Sequence, residues 1–303
     1  MTYQFSFKDC LARAERINWR VEDLIGPDKP LDFSRPFMPE SLARVQDLTF
    51  LTADERLKLN QIRGNAYLTI FGLVEEFILP FLMDHARPDV SGESYRSRAL
   101  LQFAAEEAKH IHLFRAFSKA FAEGFGSRCE VIGPPDAVAK HVLSHPPLSV
   151  ALLILHIEWM SQLHFTSSIQ DEAILDSRFK ALLLHHWMEE QQHAQLDTLM
   201  VEELAAGLLP KEIDEAFEGF KQLGGFLDEA LKQQAAIDLE SLERVCGRTF
   251  GRAEREQFLA QQHQANRWTY IGSGLTHPRF LQTVERLKPA AVEDFRAMAE
   301  VFA

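Results

Sequence analysis

Cysteine is scarce in this chain, and basic residues are outnumbered by acidic ones. Cys10, Cys129 and Cys246 are its three cysteines, far apart and without a CxxC pair, which excludes a disulfide framework and a thiolate metal site. Lys and Arg total 32 against 44 Asp and Glu, a net charge of −12. The clustered cations that neutralise phosphates are missing, so nucleic acid is not an expected partner. Long apolar runs are missing too. The longest, Leu148 to Ile157, contains His156, ends at Glu158 and falls short of the roughly 20 residues of a membrane helix. Met1 to Leu11 holds one basic residue, Lys8, followed at once by Asp9, and nothing like a secretory signal. The expectation is a cytoplasmic protein without membrane association. With no Pro/Gly/Ser-rich linker to divide it, the chain reads as one domain, residues 1–303.

Apolar residues make up 46% and charged residues 25%, enough for a buried core, and disorder is not expected outside about the first 45 residues. Thr52-Ala-Asp-Glu55 is a capping box opening a first long helix that runs to about His85 and is expected to kink at Pro80. Ser91-Gly-Glu-Ser opens a second, reaching about Glu123, and a Gly- and Pro-rich loop follows over 124–135. A short helix is expected from Ala137 to Leu143. A third long helix spans about 148–170, and a fourth, after Asp176-Ser177, continues to about Ala206. Amphipathic segments follow near 211–231, 238–245, 254–267 and from Phe280 to the end. No strand pattern is present, so the expected fold is all-α: a four-helix bundle over about 52–208, with additional N-terminal helices and a helical C-terminal extension over about 210–303.

The second helix carries Glu106-Glu107-Ala-Lys-His110 and the fourth carries Glu189-Glu190-Gln-Gln-His193. In each, Glu107 with His110 and Glu190 with His193 stand at i, i+3, on one helical face and close enough to hold one ion. Alone this spacing is weak, since about one such pair arises by chance in a chain of this composition. The context strengthens it. Glu158 lies in an apolar stretch of the third helix 32 residues before Glu190, and Glu75-Glu76 lies in an apolar stretch of the first, 32 and 31 residues before Glu107. Two successive helical hairpins each offer one Glu and then one Glu-x-x-His, the ligand pattern of ferritin-like di-iron and di-manganese bundles. Four carboxylates repel one another in an apolar core unless cations offset them, and two divalent ions carry the matching charge. Oxygen and imidazole donors without thiolate suit iron, manganese or zinc better than copper(I). Two ions about 3.5–4 Å apart are expected.

Between Glu75 and Glu76 the sequence pulls both ways. A helical projection puts Arg56, Asn60 and Arg63 on one polar side and Glu76 nearly opposite, which favours Glu76; the equal 32-residue steps favour Glu75. The projection is given the greater weight. His186, four residues before Glu190, shares its face and is expected to reach the metal held by Glu190 and His193. Asp197, four residues after His193, is a candidate to accept that imidazole's N–H. His112, His156, His164 and His185 read as packing or surface residues.

The pattern Glu, Glu-x-x-His, Glu, His-x-x-x-Glu-x-x-His resembles that of the p-aminobenzoate N-oxygenase family of di-iron enzymes, over about residues 52–208. The matching positions are Glu75 or Glu76, Glu107, His110, Glu158, His186, Glu190 and His193. The resemblance implies two iron ions, O2 as co-substrate, an external electron donor and N-oxygenation of a small arylamine, with no catalytic residue beyond the metal ligands; a homodimer is compatible with it. Other readings compete. Iron-storage cage subunits are shorter single bundles. A ribonucleotide reductase radical subunit would carry a tyrosine four residues after His110, where Phe114 stands. A desaturase or hydrocarbon hydroxylase shares the bundle, and a purely structural metal site rarely needs four carboxylates.

Overall fold

The computed structural model describes residues 5–92 and 94–303, and among them the regular structure is helical, with one isolated bridge between Gly26 and Lys29. Three short helices come first: α1 (Phe7–Ala14), α2 (Val21–Leu24) and α3 (Glu40–Ala43). Four long ones follow, α4 (Ala53–Ala86), α5 (Tyr95–Phe125), α7 (Pro147–His164) and α8 (Ser177–Ala206), with the short α6 (Pro135–Val142) between α5 and α7. The C-terminal part holds α9 (Pro210–Cys246), α10 (Arg252–Arg267), α11 (Ser273–Leu275), α12 (Pro278–Leu287) and α13 (Ala291–Phe302). Two π-helical turns, Phe165–Ile169 and Trp268–Gly272, extend α7 and α10.

Local chemistry sets the ends of the long helices. Thr52 and Glu55 form the capping box of α4, the Glu55 N–H donating to Thr52 Oγ1 at 3.2 Å and the Thr52 N–H to Glu55 Oε2 at 2.8 Å. The helix continues through Pro80, whose missing N–H leaves one carbonyl of the ladder without its usual donor. Ser94 caps α5, one turn later than the sequence places its start; of the Ser91–Ser94 stretch, Glu93 lies outside the described residues. Gly126 closes α5 at φ 75°, a left-handed conformation that glycine adopts without strain. Asp176 caps α8 through the Phe179 N–H at 2.7 Å and also accepts the Asp32 N–H at 2.8 Å.

Pairing follows the two hairpins: α4 packs along α5 and α7 along α8, with α5 and α8 meeting across the core. The helix α1 lies on α5 and α8, while α9 covers α4 and α7. The described part of the N-terminal segment, residues 5–45, packs into the fold. Cys10, Trp19, Phe37 and Met38 are buried there, and Phe37 packs among Phe117, Phe121 and Phe179. The side chain of Asn60 pins the Phe37–Met38 backbone, accepting both N–H groups at 2.8 and 2.9 Å and donating to the Met38 carbonyl at 2.7 Å. Gly64 admits this packing, because a Cβ there would stand 2.7 Å from Phe37 Cβ. The two segments read near 211–231 and 238–245 are one helix, α9, since Lys232 to Ile237 contains no residue that breaks a helix.

Two helical stretches, Ala53–Asp89 and Pro147–Ile169, are by length and composition apolar enough to cross a membrane, although neither holds an unbroken apolar run of that length. The most apolar part of the second is 94% buried by the rest of the protein, as befits the central helix of a bundle.

Candidate metal centre

Each long helix brings acidic or imidazole side chains to the middle of the bundle. Glu75 comes from α4, Glu107 and His110 from α5, Glu158 from α7, and His186, Glu190 and His193 from α8; all seven are buried. Donor atoms of Glu75, His110, His186 and Glu190 lie within 4.8 Å of one another, and so do those of Glu107, His110, Glu190 and His193. His110 and Glu190 belong to both groups. The Nδ1 of His193 is 2.9 Å from Glu107 Oε1 and 3.2 Å from Glu190 Oε1. The Nδ1 of His110 is 3.2 Å from Glu190 Oε1 and 3.6 Å from Glu75 Oε1. Glu158 lies outside both groups and shares a hydrogen bond with the Glu190 carboxyl.

Three expectations change. Glu75, not Glu76, occupies the interior; Glu76 is partly exposed and pairs with Arg115 at 2.7 Å. The polar side used to orient α4 is not a solvent face, because Asn60 and Arg63 are buried, Asn60 against the N-terminal segment and Arg63 against Asn266 and the Leu42 carbonyl. His186 joins Glu75 and Glu190, its Nε2 lying 3.1 and 3.2 Å from their oxygens, and it shares the group of His110 rather than that of His193. One helical turn before Glu190, it sits at the level where α4 crosses.

The third change concerns the imidazole partners. Asp197 is buried but carries an oxygen without a partner, and the His193 Nε2–H donates instead to Glu106 Oε2 at 2.8 Å. The His110 Nε2–H donates to Glu189 Oε2, also at 2.8 Å. Each Glu preceding a site Glu thus reaches across to the histidine of the opposite motif. Gln102 donates to Glu106 at 2.9 Å, and Lys109 pairs with Glu189 while lying 4.0 Å over the ring of Trp19, which stacks on His110. The signal was in the sequence as the doubled Glu-Glu of both motifs: successive residues point about 100° apart, one at the site and one at the neighbouring helix. These bonds fix both rings with Nδ1 toward the carboxylates.

The cluster is short of positive charge. Burial, then repulsion by Glu107, raises the Glu75 carboxyl well above its ordinary range, and burial with repulsion by Glu190 does the same to Glu158. Burial alone would lower His110 and His193, but the carboxylates around them outweigh it and push both up. Burial holds His186 down at about 3, a neutral imidazole. Both oxygens of Glu107, one each of Glu75 and Glu158, and Nδ1 of His110 have no hydrogen-bond partner. Buried polar atoms left this way are costly, and a pair of divalent cations would offset those of Glu75, Glu107 and His110, so the donor set fits such ions. Glu106→Gln or Glu189→Gln should therefore weaken metal binding by about 10–100-fold while the fold stays intact. Competition with a chelator of known affinity measures this; unchanged affinity in both variants would remove the cross-bracing role.

No family model matches the sequence, and no curated protein matches it. Among solved structures, the chain is similar to an R2-like ligand-binding oxidase with an aerobically reconstituted Mn/Fe cofactor, at 14% identity and a TM-score of 0.50 over 88% of this chain and 93% of that one. A mutant of that oxidase, also with an aerobically reconstituted Mn/Fe cofactor, aligns over 89% of this chain and 98% of its own, again at 14% identity and TM-score 0.50. At this identity the likeness speaks for the fold: the chain is an all-α helical bundle with the architecture of those oxidases.

Proposed function

We propose that the chain is a dimetal oxidase that holds two iron ions, or iron with manganese as in its structural neighbours, and uses O2 and an external electron donor to oxidise a small organic molecule. The observation that carries this reading is the buried set Glu75, Glu107, His110, Glu158, His186, Glu190 and His193, in which His110 and His193 turn Nδ1 toward carboxylates and tie Nε2 to Glu189 and Glu106 respectively. When bound, the ions supply the electrons and the open coordination positions at which O2 is reduced. The protein's own residues do the rest. Glu106 and Glu189 hold the rings in one tautomer. Phe71 and Phe114 pack on His186, and Phe103 stacks on His193 at 3.8 Å between centroids, which keeps water from the site.

The finer reading, N-oxygenation of an arylamine, rests on His186 as a third imidazole. His186→Ala is expected to keep two metals and lower arylamine oxidation by about 10–100-fold. His185→Ala, whose ring caps the Ala181 carbonyl at 2.7 Å, should change neither. Metal analysis and product mass spectrometry after exposure of the iron(II) form to O2 test both variants. Wild-type behaviour of His186→Ala would sink the N-oxygenase reading, and hydroxylated alkyl chains with untouched amines would move the assignment to a hydroxylase.

A further inference from the structure

Three indoles and one phenol lie beside the centre. Trp19 stacks on His110, Trp159 follows Glu158 and Trp187 follows His186, while Tyr67 stands on α4 eight residues before Glu75, about 12 Å along the helix axis. Phe71 spans that interval, its ring centroid 4.7 Å from that of Tyr67 and 5.8 Å from that of His186. A ring that gives up an electron becomes a strong acid, so what separates these four is whether the N–H or O–H has a base to receive its proton.

The indole N–H groups of Trp19, Trp159 and Trp187 have no acceptor. Trp19 is further opposed by the Lys109 ammonium, 4.0 Å over its ring, which repels positive charge on the indole. Tyr67 differs. Its hydroxyl lies 2.8 Å from His164 Nδ1, and the bonds behind His164 fix which way the proton points. Ser273 gives its own proton to the Thr269 carbonyl at 3.1 Å and so accepts the His164 Nε2–H at 2.8 Å. Nδ1 is therefore bare and accepts the Tyr67 O–H. Both residues are buried, which raises the phenol well above its ordinary range and holds the imidazole down at about 3. The resting pair is neutral, and the phenolic proton leaves only when an electron does.

We propose that Tyr67 and His164 are a proton-coupled redox pair, in which Tyr67 yields one electron to the O2-oxidised metal centre by way of Phe71 and its phenolic proton passes to His164. The inference rests on the proposed function for its oxidant. The centre gains the electron, the Tyr67 O–H bond breaks and an N–H bond forms at His164 Nδ1, leaving a neutral phenoxyl radical hydrogen-bonded to an imidazolium. The external electron donor returns the electron, and the proton goes back to the phenolic oxygen. Ser273 already accepts the Nε2–H and so stabilises the imidazolium. Phe114 stands four residues after His110, so the pair lies on other helices and meets the centre from the side of His186. It supplies an electron when no organic molecule is bound to give one.

Flash oxidation of the metal-free full chain by a photoexcited ruthenium polypyridyl with persulfate tests the pair without the centre. The transient spectrum of wild type minus that of Tyr67→Phe should show a phenoxyl radical, formed more slowly in heavy water. His164→Gln keeps an oxygen to accept the Tyr67 O–H but cannot hold its proton, so it should lose that radical, whereas a merely structural role for His164 would leave it. A second arm loads the chain with iron(II), admits O2 without organic substrate and freezes the mixture for electron paramagnetic resonance. The expected result is a radical signal that narrows with ring-deuterated tyrosine and is lost in Tyr67→Phe and His164→Gln. Circular dichroism checks that each variant is folded, and either folded variant suffices. No difference between wild type and Tyr67→Phe in the flash arm, or a radical undiminished in His164→Gln, overturns the proposal, as does iron oxidation by O2 with no Tyr67-dependent radical. A Tyr67 flash radical in a chain whose loaded centre does not react with O2 would remove the proposed activity and leave the redox pair standing.

Discussion

Loading the metal-free chain with two equivalents of iron(II) under anaerobic conditions at pH 7 is expected to raise its melting temperature by on the order of 15 °C. Each ion present at about 1,000 times its dissociation constant contributes about 4 kcal/mol, and a chain of this size gains about 2 °C per kcal/mol. The sign of the pH dependence is the sharper part. Burial and mutual repulsion raise the Glu75 and Glu158 carboxyls, and their carboxylate neighbours raise His110 and His193. A group whose folded pKa lies above its unfolded value gives stability that is complete below the unfolded pKa and lost as pH rises through the folded one. The metal-free chain should accordingly lose stability as pH climbs above about 4.5 for the two carboxyls and about 6.5 for the two imidazoles. Metal binding needs those protons gone, so affinity runs the other way. The gap between the metal-loaded and metal-free melting temperatures should widen from pH 5.5 to pH 8. Calorimetry at both values decides; a gap that closes with pH, or no shift on loading, would mean that the cluster is not a cation site.

Glu75→Ala should bind no more than one metal per chain and lose O2-dependent turnover by about 1,000-fold or more, the scale on which an essential group is lost. Glu76→Ala should keep both metals and stay within about 1 kcal/mol of wild-type stability, because its partly exposed pair with Arg115 is of the surface kind. The contrast is large because Glu75 bridges two imidazoles, lying 3.1 Å from His186 and 3.6 Å from His110, whereas its neighbour points about 100° away. Elemental analysis of both purified variants with oxygen-electrode assays reads the result. Equal metal content in the two variants would return the α4 ligand to the undecided position it had in the sequence.

That undecided position shows where local reading stops. The capping box at Thr52, the Asp176 cap and the apolar periodicity of the four long helices are local, and they placed the ends of α4 and α8 within a residue or so. The Glu-x-x-His spacing and the 32-residue step between hairpins are local as well, so the chemistry of the centre could be read from residue type and interval. The choice between Glu75 and Glu76 could not. It depends on what covers the far side of α4, and the cover, Phe37 and Met38 on Asn60, Asn266 on Arg63, comes from segments 22 to 203 residues away.

The same physical limit explains the rest of what was missed. A helical face says that Glu106, Glu189 and Asp197 are near the motifs; only the relative placement of α5 and α8 says that Glu106 and Glu189 span the gap at 2.8 Å while Asp197 makes no such bond to His193. Likewise the level at which α4 crosses α8 puts His186 with Glu75 and His110. The sequence by itself determined the helices, their apolar faces and the set of carboxylates and imidazoles that must end up in the core, because caps, periodicity and residue chemistry act within a few turns of chain. The tertiary structure alone decided which of two adjacent glutamates faces inward, which acid braces which histidine, and which rings pack on His186, because those depend on how separate helices are set against one another, and no interval along one helix encodes that.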